Sequence, residues 1–244
     1  MVKGTLFGEK DNFRAQKVLV AAKFSGSDIA LQENFDLKEL AKKLPLGPNP
    51  GLEIQNADGS KKYLSQSLAI AYYVSNPALK REDCPLAQAE VLQWLYFGDH
   101  DLLPVIFNHV FPILGLLPAP KDTKVKQDLF KLLSVMNDHL QRQTFLVGER
   151  ISLADISLCL NLVLLFERGL LMEDRNKFAH LLRWFDTIIH QKHVKDVLGS
   201  IKLCEKLELL PKEAVKEAEK SKGSFLNFYA RFCVLFSSFP LVLV

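Results

Sequence analysis

The sequence predicts a small α/β domain followed by an all-α domain. Three observations predict it. Within the first 78 residues the apolar period switches repeatedly between strand-like and helix-like spacing, strand signals fade beyond Leu86, and a Pro-containing linker from Asn76 to about Pro85 separates the two regimes. A length of 244 residues suits one or two domains with a sizeable core. The predicted boundaries are residues 1–80 and 86–205, followed by a charged linker over 206–224 and an apolar tail over 225–244.

Gly4 to Phe7 reads as a strand, and Asn12 to Phe24 as a helix with Phe13, Val18, Leu19, Ala22 and Phe24 at helical spacing. Asp28 to Leu31 is a second short apolar run. Leu37, Leu40, Ala41 and Leu44 then mark one face of a second helix. The turn-forming stretch Pro45 to Gly51 precedes a hairpin from Leu52 to Leu64, turned at Asp58-Gly59, and Ser67 to Val74 continues as a helix. This βαβαββα order is the layout of a thioredoxin-like unit, a mixed sheet with helices on its faces.

From Leu86 onward four or five long apolar-periodic segments are separated by Pro or Gly, among them Pro104, Pro112, Pro118 to Pro120, Gly148 and Gly199. The sharpest local signal is Ile151 to Ile156, where Ser152 and Asp155 form a capping box and Ile151 and Ile156 occupy the staple positions. Ser152 and Asp155 are therefore structural candidates. The following run to Phe166 is apolar on nearly every side, which predicts a helix buried at the domain centre.

Composition narrows the function classes. Apolar residues make up 48% and charged residues 24% of the chain, as in an ordinary folded protein. The 31 basic and 28 acidic residues are intermixed, so the net charge of +3 supplies no dense field for nucleic acid, and direct nucleic-acid binding is not expected. Cys84, Cys159, Cys204 and Cys233 form no CxxC pair, which suits reduced thiols in the cytoplasm. Asn227, Arg231 and Pro240 interrupt the apolar tail, so a membrane anchor is disfavoured against an altered terminus. The absence of GxxxxGK[ST] and GxGxxG leaves no loop to cradle nucleotide phosphates. His190 and His193 lack a third ligand, and Asp99-His100-Asp101 point in different directions on a helix, so no metal site is expected and a solvated or interfacial cluster is favoured. Tyr72, Tyr73, Trp94 and Trp184 read as core more readily than as interface anchors.

The two-domain pattern is similar to the cytosolic glutathione transferases, which implies a glutathione-transferase-like architecture. Gln66-Ser67 resembles the pair that holds the γ-glutamyl end of glutathione there, and Pro50 falls where those enzymes keep a cis-proline preceded by a backbone that bonds the tripeptide, here Asn49. Asn49, Pro50, Gln66 and Ser67 are thus the candidate glutathione-binding residues, with glutathione the one ligand implied and no cofactor. Over roughly residues 4–206 the chain more closely resembles the gamma subunits of translation elongation factor 1, through segments such as Ala69-Ile70-Ala71-Tyr72-Tyr73-Val74-Ser75-Asn76 and Val197 to Lys206. That family usually continues into a separate C-terminal domain; against its pattern this chain looks truncated or alternatively ended.

The resemblance implies a scaffold role in the elongation factor 1 complex. The implied partners are the guanine-nucleotide-exchange (beta/delta) subunit and, through it, the GTPase alpha subunit, with a second copy of the chain as a further candidate. Two alternatives stand beside it: a glutathione transferase, and a scaffold in an aminoacyl-tRNA synthetase assembly. Glutathione chemistry needs a Tyr, Ser or Cys at the end of the first strand to favour the thiolate. Phe7 to Arg14 contains none, Thr5 lies inside the strand, and Pro48 stands where many transferases place a glutathione-pairing lysine. No catalytic residue is therefore assigned, and any activity supported by Arg14 or the helix N-terminus is expected to be weak.

Overall fold

In the computed structural model the described residues are 2–44, 46–47, 50–56, 58–119 and 123–211. Asn49, Pro48, the apolar tail and most of the charged linker lie outside them. The first unit runs β1 (Lys3–Phe7), α1 (Phe13–Ser25), β2 (Asp28–Gln32), α2 (Leu37–Lys43), β3 (Gly51–Gln55), β4 (Lys61–Ser65) and α3 (Ser67–Val74). Its four strands are ordered β2-β1-β3-β4, with β1 parallel to β2 and antiparallel to β3, and β3 antiparallel to β4. This is the predicted thioredoxin-like arrangement. Leu6 pairs with Leu52 in register, so two fully buried side chains from neighbouring strands fill one face together.

The hairpin turn lies where Asp58-Gly59 placed it. Gly59 takes a φ of 81°, a left-handed conformation that favours glycine, and Asp58 Oδ1 accepts from Ser60 N–H at 2.8 Å. The face predicted for α2 is narrower than expected: Leu40 and Leu44 are buried, whereas Leu37 and Ala41 are exposed. A seven-residue helix has room for one contact patch, and these two residues, one turn apart, make it.

Asn76 caps a one-turn helix, α4 (Pro77–Lys80), through Leu79 N–H. The linker thus holds a helical turn with Pro at its first position, where the missing N–H costs nothing. Arg81 then ties the linker to the helical unit by donating to the carbonyls of Val147 and Arg150.

That unit comprises α5 (Pro85–Tyr96), α6 (Leu103–Ile113), α7 (Lys124–Leu140), α8 (Leu153–Arg168), α9 (Met172–Arg175), α10 (Ala179–Ile189) and α11 (Lys192–Leu198). Pro104 does not end a helix as its punctuation predicts. A π-helical stretch, Phe97–Leu102, joins α5 to α6 without a break, and Leu103 N–H bonds Gly98 O five residues back. Proline cannot make the ordinary hydrogen bond to residue i−4, and the wider turn accommodates it. As predicted, α8 is buried almost all round from Leu153 to Leu162.

The Ser152–Asp155 cap extends beyond a capping box. Asp155 Oδ2 accepts from Ser152 N–H at 2.8 Å and from Ser152 Oγ at 2.7 Å, while Oδ1 accepts from Leu146 N–H and Trp184 Nε1, each at 2.8 Å. Burial pushes this carboxyl above its ordinary pKa although all four donors pull it down. Trp184 and Trp94 are core residues, while Tyr73 is exposed. The last described residues form no regular element, and Leu210 N–H donates to Leu114 O at the end of α6. No described helix is long and apolar enough to cross a membrane.

Candidate functional site

Gln66 and Ser67 stand where β4 turns into α3. Gly51 pairs with Ser65, so Pro50, itself buried, and Gln66 flank the last rung of the β3–β4 ladder. The peptide bond before Pro50 begins at Asn49, outside the described residues. Gln66 adopts φ 73° and ψ 116°, a conformation that costs a non-glycine residue of order 1–3 kcal/mol and is concentrated at ligand clamps and active sites. Its side-chain Nε2 donates to Leu46 O at 3.1 Å, and its carbonyl accepts from Ile70 N–H at 2.9 Å. Ser67 is the first residue of α3 and is largely buried. The capping position falls on Gln66, which makes no side-chain cap.

Gln66 and Ser67 line a cleft of about 460 Å³ between the sheet unit and α5. The opposite wall is Tyr96, Asp99 and His100, with Arg14 of α1 beside them. Asp99 is not part of a solvated cluster, because the wider π-helical turn carries it against α1. There it accepts from Lys17 Nζ at 3.1 Å and from Asn161 Nδ2 of α8 at 2.9 Å. The Lys17 side chain is 0% exposed and that of Asp99 19%. Burial works to raise the Asp99 pKa, but the Lys17 charge, the hydrogen bonds and the Arg14 charge outweigh it and hold the carboxyl below its ordinary value. Burial lowers the pKa of Lys17 and of Arg14, opposed in each case by Asp99. His100, exposed, stacks on Tyr96 at 5.6 Å between ring centroids.

Two cations and one carboxylate are thus held at the joint between the units. Sequence reasoning missed Lys17 and Asn161. A signal was available for Lys17, which shares a stripe with Phe13, Val20 and Phe24 at helical spacing. Nothing comparable marked Asn161 within an apolar run.

The end of β1 offers a thiol little help. Asn12 caps α1 by accepting from Arg14 N–H at 2.9 Å, Gly8 N–H is spent on Gln32 O, and Phe13 turns its ring towards Phe107. Phe7 to Arg14 brings no hydroxyl or thiol there. Among the described residues no group of His, Cys, Asp and Glu could hold a metal ion. His193 lies edge-on to Phe24, and His190 Nδ1 lies 3.2 Å from Asp186 Oδ1.

The family model described as glutathione S-transferase, C-terminal domain, matches residues 104–192. Elongation factor 1-gamma of Drosophila melanogaster is 41% identical over 230 residues, covering 92% of this chain and 52% of that protein. The Artemia salina protein of the same name is 40% identical over 91% of this chain and 54% of its own length. The chain therefore spans about half the length of the curated relatives it matches. The crystal structure of the glutathione-transferase-like domain of elongation factor 1-gamma from Saccharomyces cerevisiae superposes with a TM-score of 0.68 at 26% identity, over 87% of this chain and 100% of that one. In sequence over nine-tenths of its length the chain is similar to the elongation factor 1-gamma proteins, and in the order of its strands and helices it shares the glutathione-transferase-like fold of their N-terminal half.

Proposed function

We propose that this chain is a non-catalytic scaffold in the translation elongation factor 1 complex. It binds the guanine-nucleotide-exchange subunit and, through it, the GTPase alpha subunit, in the cytoplasm where elongation takes place. The observation that carries this reading is the 41% identity to elongation factor 1-gamma across 92% of the chain. Chemistry agrees with it, because a strand end without hydroxyl or thiol lacks the donor that sharpens a sulfur nucleophile, and losing such a donor costs several kcal/mol of transition-state stabilisation. The test is a pull-down of the purified chain with recombinant exchange subunit at low salt. A stable complex is expected, and failure to form one would remove the scaffold reading.

A second reading rests on the strained Gln66 beside Ser67 in the cleft: glutathione binds there without turnover. Calorimetric titration should then detect glutathione binding while conjugation of an electrophilic aryl halide stays near the uncatalysed rate. Robust conjugation would restore the enzyme alternative. No observation favours the synthetase-assembly alternative over the elongation complex.

A further inference from the structure

The end of α8, the one-turn α9 and the segment after α11 enclose a cavity of about 900 Å³. It shares no wall residue with the Gln66–Ser67 cleft, and its volume lies towards the upper end of the ~300–1,000 Å³ over which ligand cavities range. On its wall stands Arg175, the last residue of α9, only 5% exposed. Buried arginines are nearly always paired with a carboxylate, because an isolated buried charge is costly. Among the described residues Arg175 has no such partner.

Its Nη1 donates to the carbonyls of Leu170 and Cys204, each at 2.6 Å. These two bonds orient the guanidinium and tie the segment after α11 to α9. They leave one edge over. Nε and Nη2, side by side on that edge, meet no acceptor among the described residues, and neither belongs to the polar atoms sealed in the core without a partner. The edge therefore opens on the cavity that Arg175 lines. Two parallel N–H groups of a guanidinium match the two oxygens of a carboxylate.

The partly buried carboxylate of the same wall is already engaged. Burial pushes the Glu167 carboxyl up, and what opposes this is Arg168 and the Lys202 N–H, not Arg175. Lys202 and Lys206 add two exposed cations, and Glu205 and Glu208 two exposed carboxylates. A ligand with one carboxylate and a neutral or cationic body satisfies both sets. A compact dianion instead meets repulsion from the glutamates. The wall is mostly polar, which suits a peptide main chain better than a hydrocarbon body.

We infer that this cavity binds the C-terminal carboxylate of a peptide, side-on against Nε and Nη2 of Arg175, with the preceding residues towards Glu205 and Glu208. The site is independent of the scaffold role and of glutathione binding.

The test uses the whole chain and three probes, read by isothermal calorimetry at neutral pH and low salt: acetyl-alanyl-lysyl-alanine with a free carboxylate, the same tripeptide as its C-terminal amide, and inorganic phosphate. The free acid is expected to bind about tenfold or more tightly than the amide, and more tightly than phosphate. Arg175→Lys keeps the charge but removes the paired donors, so the acid should fall to the affinity of the amide, with circular dichroism confirming the fold. Met172→Trp, an exposed change that narrows the cavity, should weaken the acid several-fold, and it decides alone if Arg175→Lys does not fold. The inference is overturned if the amide or phosphate binds as tightly as the acid, or if no probe binds at millimolar concentration. An unchanged gap between acid and amide in folded Arg175→Lys, or acid binding untouched by Met172→Trp, would overturn it too.

Discussion

At Asp155 one fully buried carboxylate holds the end of the 146–152 loop, the start of α8 and the indole of Trp184 on α10. Asp155→Ala would leave the Leu146 and Ser152 amides and the Trp184 indole N–H buried without acceptors. Each such orphan costs about 1–3 kcal/mol, so a loss of about 4 kcal/mol or more is expected in denaturant titration, against about 1 kcal/mol for an ordinary cap. A loss near the lower figure would reduce Asp155 to a plain cap. Gln66 carries the opposite expectation. Its φ of 73° is a strain that glycine does not feel, so Gln66→Gly should stabilise the chain by up to about 1 kcal/mol, the relief being partly offset by the freer unfolded chain. The same change should weaken glutathione binding if the cleft holds the tripeptide. A variant that is destabilised would show that Gln66 is held there by its bond to Leu46 and not against its own preference.

Among the elements, the α5–π–α6 run is the least readable from sequence and does the most to shape the joint. A Cβ at Gly98 would stand 2.7 Å from Leu158 Cδ1 and 3.2 Å from Asn161 Nδ2, so glycine is what lets the π-helical turn lie against α8. Gly98→Ala should cost about 1–3 kcal/mol through overpacking and lower the melting temperature by several degrees in calorimetry. An unchanged melting temperature would mean that Leu158 repacks freely. The strands, the first helix and the buried α8 were legible because each carries its own period, from alternation at Leu52-Glu53-Ile54 to leucines on every side of Leu158 to Leu165. Pro104 misled because proline reports only a forbidden hydrogen bond, and a wider turn satisfies that constraint as well as a helix end does. The Gln66–Ser67 part of the site was legible through the resemblance alone. Asp99 and Asn161 were not, because a side chain's burial there depends on partners that lie 62 to 82 residues away in sequence, whereas Lys17 was marked by its stripe with Phe13, Val20 and Phe24.

On the scale of the whole molecule, α1 is the shared element: it packs against α3 of the sheet unit and against α8 and α11 of the helical unit, and its Lys17 crosses the joint to Asp99. Two units that share a helix and one hydrophobic cluster should unfold together, so a single calorimetric transition is expected with equal van't Hoff and calorimetric enthalpies. The ion pair is asymmetric, and so are the consequences of breaking it. Asp99→Asn leaves a fully buried ammonium without its counterion and should cost about 3–5 kcal/mol. Lys17→Met leaves a carboxylate that is partly exposed and still bonded to Asn161, and should cost less. The pH dependence follows from the depressed Asp99 pKa: its contribution is fully present above the unfolded carboxyl value of about 4 and is lost as pH falls through the lower folded value. Acid should therefore weaken the wild type towards the stability of Asp99→Asn, whose own curve is flatter in that window. Equal costs for the two substitutions, or parallel acid curves for wild type and Asp99→Asn, would show that the joint is held by the packing of α1 on α8 alone.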